Sequence, residues 1–232
     1  MTGTELTEIE LTEAVASLVN HFHHPCAVIV THPGVKPDIK TLMRKVPVQV
    51  VDWLEELEEP GTECGHFVWL GEEEVATLLG RLGEERISCG VWYVMASLPR
   101  QLLQHLRLRL DSQLYFLRRS GPTLDLVEVY DVTPGGRRVW NTWGFLHATT
   151  LEVEVPHPEM WDRRSDLWGL DLRTVVLPFG DYLRLEDDVL ESWFGLVPHI
   201  WDSLASRLNF TYTLTRSSDG KWGAQDKVTK PF

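Results

Sequence analysis

Hydrophobic positions in the first part of the chain alternate between two periods. Over 8–22 the residues Leu11, Val15, Leu18, Val19 and Phe22 recur at spacings of three and four, which predicts an amphipathic helix. The run AVIVT at 27–31 is short and wholly apolar, as in a buried parallel strand. Further strands are predicted over 46–51, 66–70 and 90–96. The acidic segment 52–59, ended by Pro60-Gly61, reads as a short helix. The segment 72–82 reads as a longer one, with Val75, Leu78, Leu79 and Leu82 in phase and acids in its first turn. A proline at its first turn opens a helix predicted over 99–106. Strands over 113–117 and 124–130 follow, joined by the polar turn RRSGPT. This alternation predicts an α/β layered domain with a mostly parallel sheet.

The stretch 155–166 (VPHPEMWDRRSD) is rich in proline and charge and has no period. It reads as a linker between a domain over 1–154 and a second unit over 167–232. The second unit opens with a strand over 172–177 (LRTVVL), stopped at Pro178. An amphipathic helix then places Val197, Ile200, Trp201, Leu204 and Leu208 on one face. A short strand puts Phe210, Tyr212 and Leu214 on one face and Thr211, Thr213 and Thr215 on the other. The polar hexapeptide Asp219-Gly220-Lys221-Trp222-Gly223-Ala224 follows as a turn. No internal repeat or low-complexity tract is present.

Composition narrows the function. The chain has 232 residues, 43% of them hydrophobic, with ten tryptophans, enough to bury a core. Its net charge of -12 argues against nucleic acid as a partner. The longest apolar run, about 91–98, is far short of the roughly 20 residues of a membrane-spanning helix. The first residues are acidic and polar, unlike a secretory signal. Cys26, Cys64 and Cys89 form no metal motif. They leave either one disulfide with a free thiol or three reduced thiols.

The order of helix, NFTY strand and DGKWGAQ turn resembles the first half of the ligand-binding clamshell of ionotropic glutamate receptors. That family carries a G-x-x-x-D-[IL] helix start, an lnFtY strand and a DGKYGA-like turn. Here Gly195 is present, but His199 stands where the family usually has Asp. That departure brings the chain nearer the divergent chemosensory ionotropic receptors of arthropods. The stretches LDSQLYFL, LVEVYDV and WDRRSDLWGLDLRTVVLP look like the N-terminal region and first strand of such receptors. The resemblance thus covers roughly 100–232, through several weak matches in order, and the earlier residues by layout alone.

The resemblance implies a fold, a function and a site. The fold is a layered α/β amino-terminal domain followed by a partial, truncated lobe one of a periplasmic-binding-protein-like (type II) clamshell. The function is that of the extracellular part of a ligand-gated cation channel at the plasma membrane. Two lobes close on a small-molecule ligand (an amino acid, amine or acid), and closure opens a pore shared with other receptor subunits. No chemical step occurs, so no enzyme and no cofactor is implied. By position, Trp222 is the ligand-binding aromatic of the turn; a tryptophan there is also a good partner for an ammonium group. Its plainer role is a turn aromatic packed under the loop. The family's carboxylate-binding arginine and amine-binding acid would lie beyond Phe232, so glutamate sensitivity is not implied and the chain is expected to be a fragment. The alternatives are a soluble α/β solute-binding protein, a truncated non-functional gene model, or a small α/β enzyme. The last requires a pocket with convergent titratable groups in 1–150.

Other chemistry is weaker. Asn209-Phe210-Thr211 is a glycosylation acceptor, although such tripeptides arise often by chance. His21, His23, His24 and His32 cluster in sequence, but without metal-ligand spacing; a helix C-terminus favours histidine in any case. Cys89 has no local base and is expected to be buried or disulfide-bonded. The acidic runs at 55–59 and 72–74 read as solvated helix faces and starts. Gly34, Gly135 and Gly136 form no phosphate-binding loop.

Overall fold

A mixed eight-stranded sheet forms the centre of the first of two units. The computed structural model describes residues 8–32, 38–52, 63–95, 100–133, 136–186 and 189–217. The chain divides into Met1–Pro158 and Glu159–Phe232. The first unit runs α1 (Glu8–His21), β1 (Ala27–Thr31), α2 (Ile39–Met43), β2 (Val48–Asp52), β3 (Gly65–Trp69), α3 (Glu72–Cys89) and β4 (Val91–Val94). It continues through a 3-10 turn (Arg100–Leu103) to β5 (Gln113–Ser120), β6 (Thr123–Asp131), β7 (Arg138–His147) and β8 (Val153–Glu154).

The strand order is β2-β1-β3-β4-β5-β6-β7-β8. Strands β1 to β5 pair in parallel, and β5 to β8 pair antiparallel. The sheet is therefore α/β but mixed, rather than mostly parallel. Side chains alternate between its faces as the strand period demands. Ile29, Phe67, Tyr93, Tyr115 and Trp143 pack with α1 on one face. Val30, Val68, Trp92, Val94 and Phe116 pack with α3 on the other. Both faces are covered at β1, β3 and β4, as expected of buried parallel strands, whereas the edge strand β2 is partly exposed.

Three departures from the sequence have physical causes. The helix predicted over 72–82 continues to Cys89, broken at Gly83, whose φ of +69° and ψ of 177° suit glycine. The helix predicted over 99–106 is reduced to the 3-10 turn. The amides there bond three residues back, Gln104 N–H to the Gln101 carbonyl and Leu106 N–H to the Leu103 carbonyl, and the Arg138 guanidinium also donates to the carbonyls of Leu103 and Leu106. Strand β7 has no counterpart among the expectations. A bulge between Leu126 and Val127 places Leu126 opposite Gly144 and Val127 opposite Thr142, so the period-two pattern breaks at the buried Trp143. The acidic helix expected over 52–59 lies, beyond Asp52, outside the described residues.

Cys26 and Cys64 immediately precede the register-paired Ala27 and Gly65, and they form a disulfide with a Cα–Cα separation of 4.8 Å. Of the two sequence alternatives, one disulfide plus a free thiol is realised. Cys89 is that thiol. It is exposed at the end of α3, neither buried nor bonded as expected.

Two histidines are built into the same end of the parallel sheet. His66 is 1% exposed and stacks on Trp92 at 4.4 Å. His24 lies 3.1 Å from the Tyr93 hydroxyl. Burial lowers the pKa of both below the ordinary 6.5, and hydrogen bonds to backbone only partly offset it. A folded-state pKa below the unfolded one means that the unfolded chain binds more protons on acidification. The stability from these residues is complete above pH 6.5 and is lost as pH falls through their folded values. Each should contribute a slope of up to about 1.4 kcal/mol per pH unit. Urea midpoints should therefore drop between about pH 7.5 and about pH 5.5, and the double change His24→Phe, His66→Phe should flatten the drop. An unchanged pH dependence in that variant would refute the assignment.

Candidate functional site

The second unit is a strand–helix–strand arrangement with a hairpin inserted before the helix. It contains α4 (Met160–Arg163), β9 (Leu170–Val176), β10 (Arg184–Glu186), β11 (Val189–Phe194), α5 (Leu196–Leu208) and β12 (Phe210–Arg216). The short α4 falls within the 155–166 stretch. Strands β9 and β12 pair in parallel from Leu170↔Phe210 to Val176↔Arg216. Strands β10 and β11 form an antiparallel pair.

The faces of β12 match the sequence pattern. Phe210 is buried, Tyr212 and Leu214 are half-buried, and Thr211, Thr213 and Thr215 are exposed. On the outer face Asp171 accepts from the hydroxyls of Thr211 and Thr213. On the inner face Trp201 of α5 packs edge-on against Phe210 at 5.7 Å, and Trp193 lies 5.5 Å from Tyr212. The Tyr212 hydroxyl donates to Asp202 of α5. Burial, and then that hydrogen bond, push the Tyr212 pKa up to about 12. The helix face is less buried than its spacing suggests. Trp201 and Leu208 are half-buried, whereas Val197, Ile200 and Leu204 are exposed. Two strands cover only the Trp201 side of α5.

A helix that returns a chain between parallel strands starts at their carboxyl ends. In open α/β sheets that edge is where ligands bind. Here it brings together the last residues of β9 and β12, the turn after β9 and the start of α5. The Ser217 N–H donates to the Val176 carbonyl, so the strands stay paired to the edge. Phe179 and Tyr182 stack at 5.9 Å there, and both are more than half exposed, at 58% and 54%. The turn is fastened to α5 by the Val197 N–H donating to the Tyr182 carbonyl at 3.0 Å. This close approach requires Gly195. Its φ is +120°, and a Cβ there would lie 2.6 Å from the Tyr182 carbonyl oxygen. Asp181 and Arg184 form an exposed ion pair on the same turn. The arrangement offers two exposed aromatic rings, a charged pair and a fixed helix start.

The residues singled out from sequence fall as follows. Trp222 and its hexapeptide lie outside the described residues. Asn209 is exposed and ends α5 in the left-handed conformation, φ +51°, a position that suits asparagine. Its Nδ2 donates to Asp166 at 2.8 Å. His199 is exposed in the first turn of α5. His21 lines an open cleft with His147, Glu152 and Glu154, and His147 lies 3.6 Å from Glu154. Among the described residues no three His, Cys, Asp or Glu side chains come together as a metal site. Glu74 takes the Gly71 N–H at the start of α3, as a helix-starting acid should. Gly34, Gly135 and the acids 55–59 lie outside the described residues. Phe179 and Tyr182 were not anticipated. The turn-forming string PFGDY directly after a strand end was the available signal.

No protein-family model and no curated protein matches the chain. No helix among the described residues is long and apolar enough to cross a membrane.

Gly195→Ala should destabilise the carboxyl edge by about 1–3 kcal/mol, since its backbone region is almost exclusive to glycine. Hydrogen exchange at the Val197 amide should rise in step. Unchanged protection of Val197 would show that the turn does not depend on the missing Cβ.

Proposed function

We propose that the chain is the extracellular part of a ligand-gated cation channel of the ionotropic glutamate receptor type, of the chemosensory kind, which senses a small amino acid, amine or acid by clamshell closure. The second unit is then part of lobe one, and the parent works at the plasma membrane with other receptor subunits. The observation that carries the proposal is the strand–helix–strand order of β9, α5 and β12. In sequence the DGKWGA segment follows β12, and Phe179 and Tyr182 present exposed rings after β9, the strand that pairs with it. Ligand binding at the carboxyl edge is the general behaviour of parallel α/β sheets. The Cys26–Cys64 disulfide adds support, since such bonds persist in oxidising, extracytosolic compartments.

Trp222 is the ligand-facing residue on this proposal. In the complete receptor, recorded as agonist-evoked current, Trp222→Ala should lower potency by roughly 2- to 30-fold, the equivalent of 0.5–2 kcal/mol of lost cation–π contact. Trp222→Tyr should keep most of the response. Loss of surface expression in the alanine variant would make Trp222 structural, and unchanged potency would remove it from the cleft.

Asn209 should carry glycan in animal cells. Its exposed amide keeps one N–H after glycosylation, so the bond to Asp166 survives. Glycosidase should reduce the mass of the protein, and Asn209→Gln should abolish that part of the change. Cytosolic labelling of the segment in intact cells would refute the extracellular assignment.

A further inference from the structure

We propose that the first unit carries a second, independent binding site, for a small organic carboxylate, built on Arg107. A cavity of about 380 Å3 lies where the loop before β5 meets the β6–β7 hairpin. Gln104, His105, Arg107, Asp131, Arg138 and Trp140 are among the residues that line it. Its volume falls within the range of small-molecule sites, about 300–1,000 Å3.

The backbone on both sides of Arg107 is fixed by one ion pair. Arg138 donates to the Leu106 carbonyl, and Asp131 Oδ2 accepts the Leu108 N–H at 3.1 Å. The side chains of Leu106 and Leu108 are buried in the core. Residue 107 lies between these two tethers, and its side chain is exposed. A fixed backbone spares the cost of ordering the loop, while the exposed side chain still gives up rotamer freedom on binding.

The charges make Arg107 the group left for a ligand. The Asp131 carboxylate is neutralised by Arg138, with Nε to Oδ1 at 2.7 Å. Each of the three Arg138 nitrogens donates to an internal acceptor. Arg107 pairs with no carboxylate among the described residues. Among the described residues the cavity therefore holds one uncompensated positive charge, in a chain whose net charge is -12. One planar, singly charged carboxylate matches one guanidinium fork. A doubly charged phosphate would leave a charge unanswered. Half-buried Trp140, braced by Phe116 at 5.6 Å, supplies an apolar wall for the body of the ligand. Gln104 and His105 add hydrogen-bonding groups at the rim.

The site shares no residue with the carboxyl edge of the second unit, so it stands whatever becomes of the receptor proposal. The test is calorimetric titration of the full chain with phenylacetate, its methyl ester and inorganic phosphate. Phenylacetate should bind saturably in the millimolar range or below, and the ester and phosphate much more weakly. Arg107→Gln should weaken phenylacetate about tenfold or more, by loss of a charge-assisted pair. Arg81→Gln, an exposed arginine on α3, should leave it unchanged. Equal thermal midpoints will show that the Arg107 variant is folded. Absence of phenylacetate binding to the unaltered chain, equal binding by Arg107→Gln, or an ester or phosphate that binds as well would overturn the proposal.

Discussion

The buried pair of Asp131 and Arg138 is the constraint on which the mixed sheet depends. A carboxylate that is 1% exposed is tolerable only if its charge and lone pairs are answered. Arg138, directly across the hairpin in register, answers both oxygens. Removing one partner of such a pair typically costs about 3–5 kcal/mol, because the other is left charged and buried. Here the pair does more than close a hairpin. It takes the Leu103 and Leu106 carbonyls and the Leu108 amide, so the segment before β5 cannot continue as a helix. After that stop a turn closed between Arg109 and Ser112 leads into β5, the strand at which parallel pairing gives way to antiparallel pairing.

The opposite arm of the sheet is fixed by different means. The strand order turns at β1, which pairs with β2 on one side and β3 on the other. The disulfide fixes the β1–β3 register one residue before the strands begin. His24 and His66 pack against Tyr93 and Trp92. This arm is held covalently at β1 and β3 and by packing. The β5–β6–β7 end adds to its packing a buried ion pair, which salt screens little.

Much of the fold was legible because local and long-range requirements agreed. AVIVT is a strand both by composition and by its burial on two faces, and 72–82 is a helix by period and by its acidic first turn. The elements that were not legible depend on partners distant in sequence. Nothing between 99 and 106 announces that Arg138 will take its carbonyls. The alternation of β7 is interrupted by a bulge next to Gly144, where a Cβ would lie 2.7 Å from the Glu154 carbonyl oxygen on a third strand. The candidate edge was half legible. NFTYTL declared its two faces, while the Phe179–Tyr182 stack needed the turn to be seen against Gly195. The disulfide could not be selected by counting three cysteines; it followed only once β1 and β3 were paired.

The exposed face of α5 follows from the same geometry that creates the edge. Tyr212 ties β12 to α5 through Asp202, and Trp201 fills the space between them. That anchors one side of the helix and turns Val197, Ile200 and Leu204 away from the two strands. A two-stranded sheet has too little surface to bury both flanks of a helix, and an apolar helix flank without a second layer contributes little to stability. The edge therefore does not rely on a deep core. It relies on the backbone bond between Val197 and Tyr182 and on the missing Cβ of Gly195, both local to the turn. An edge held in this way keeps its aromatic rings in place while the helix flank behind it remains open to a further layer.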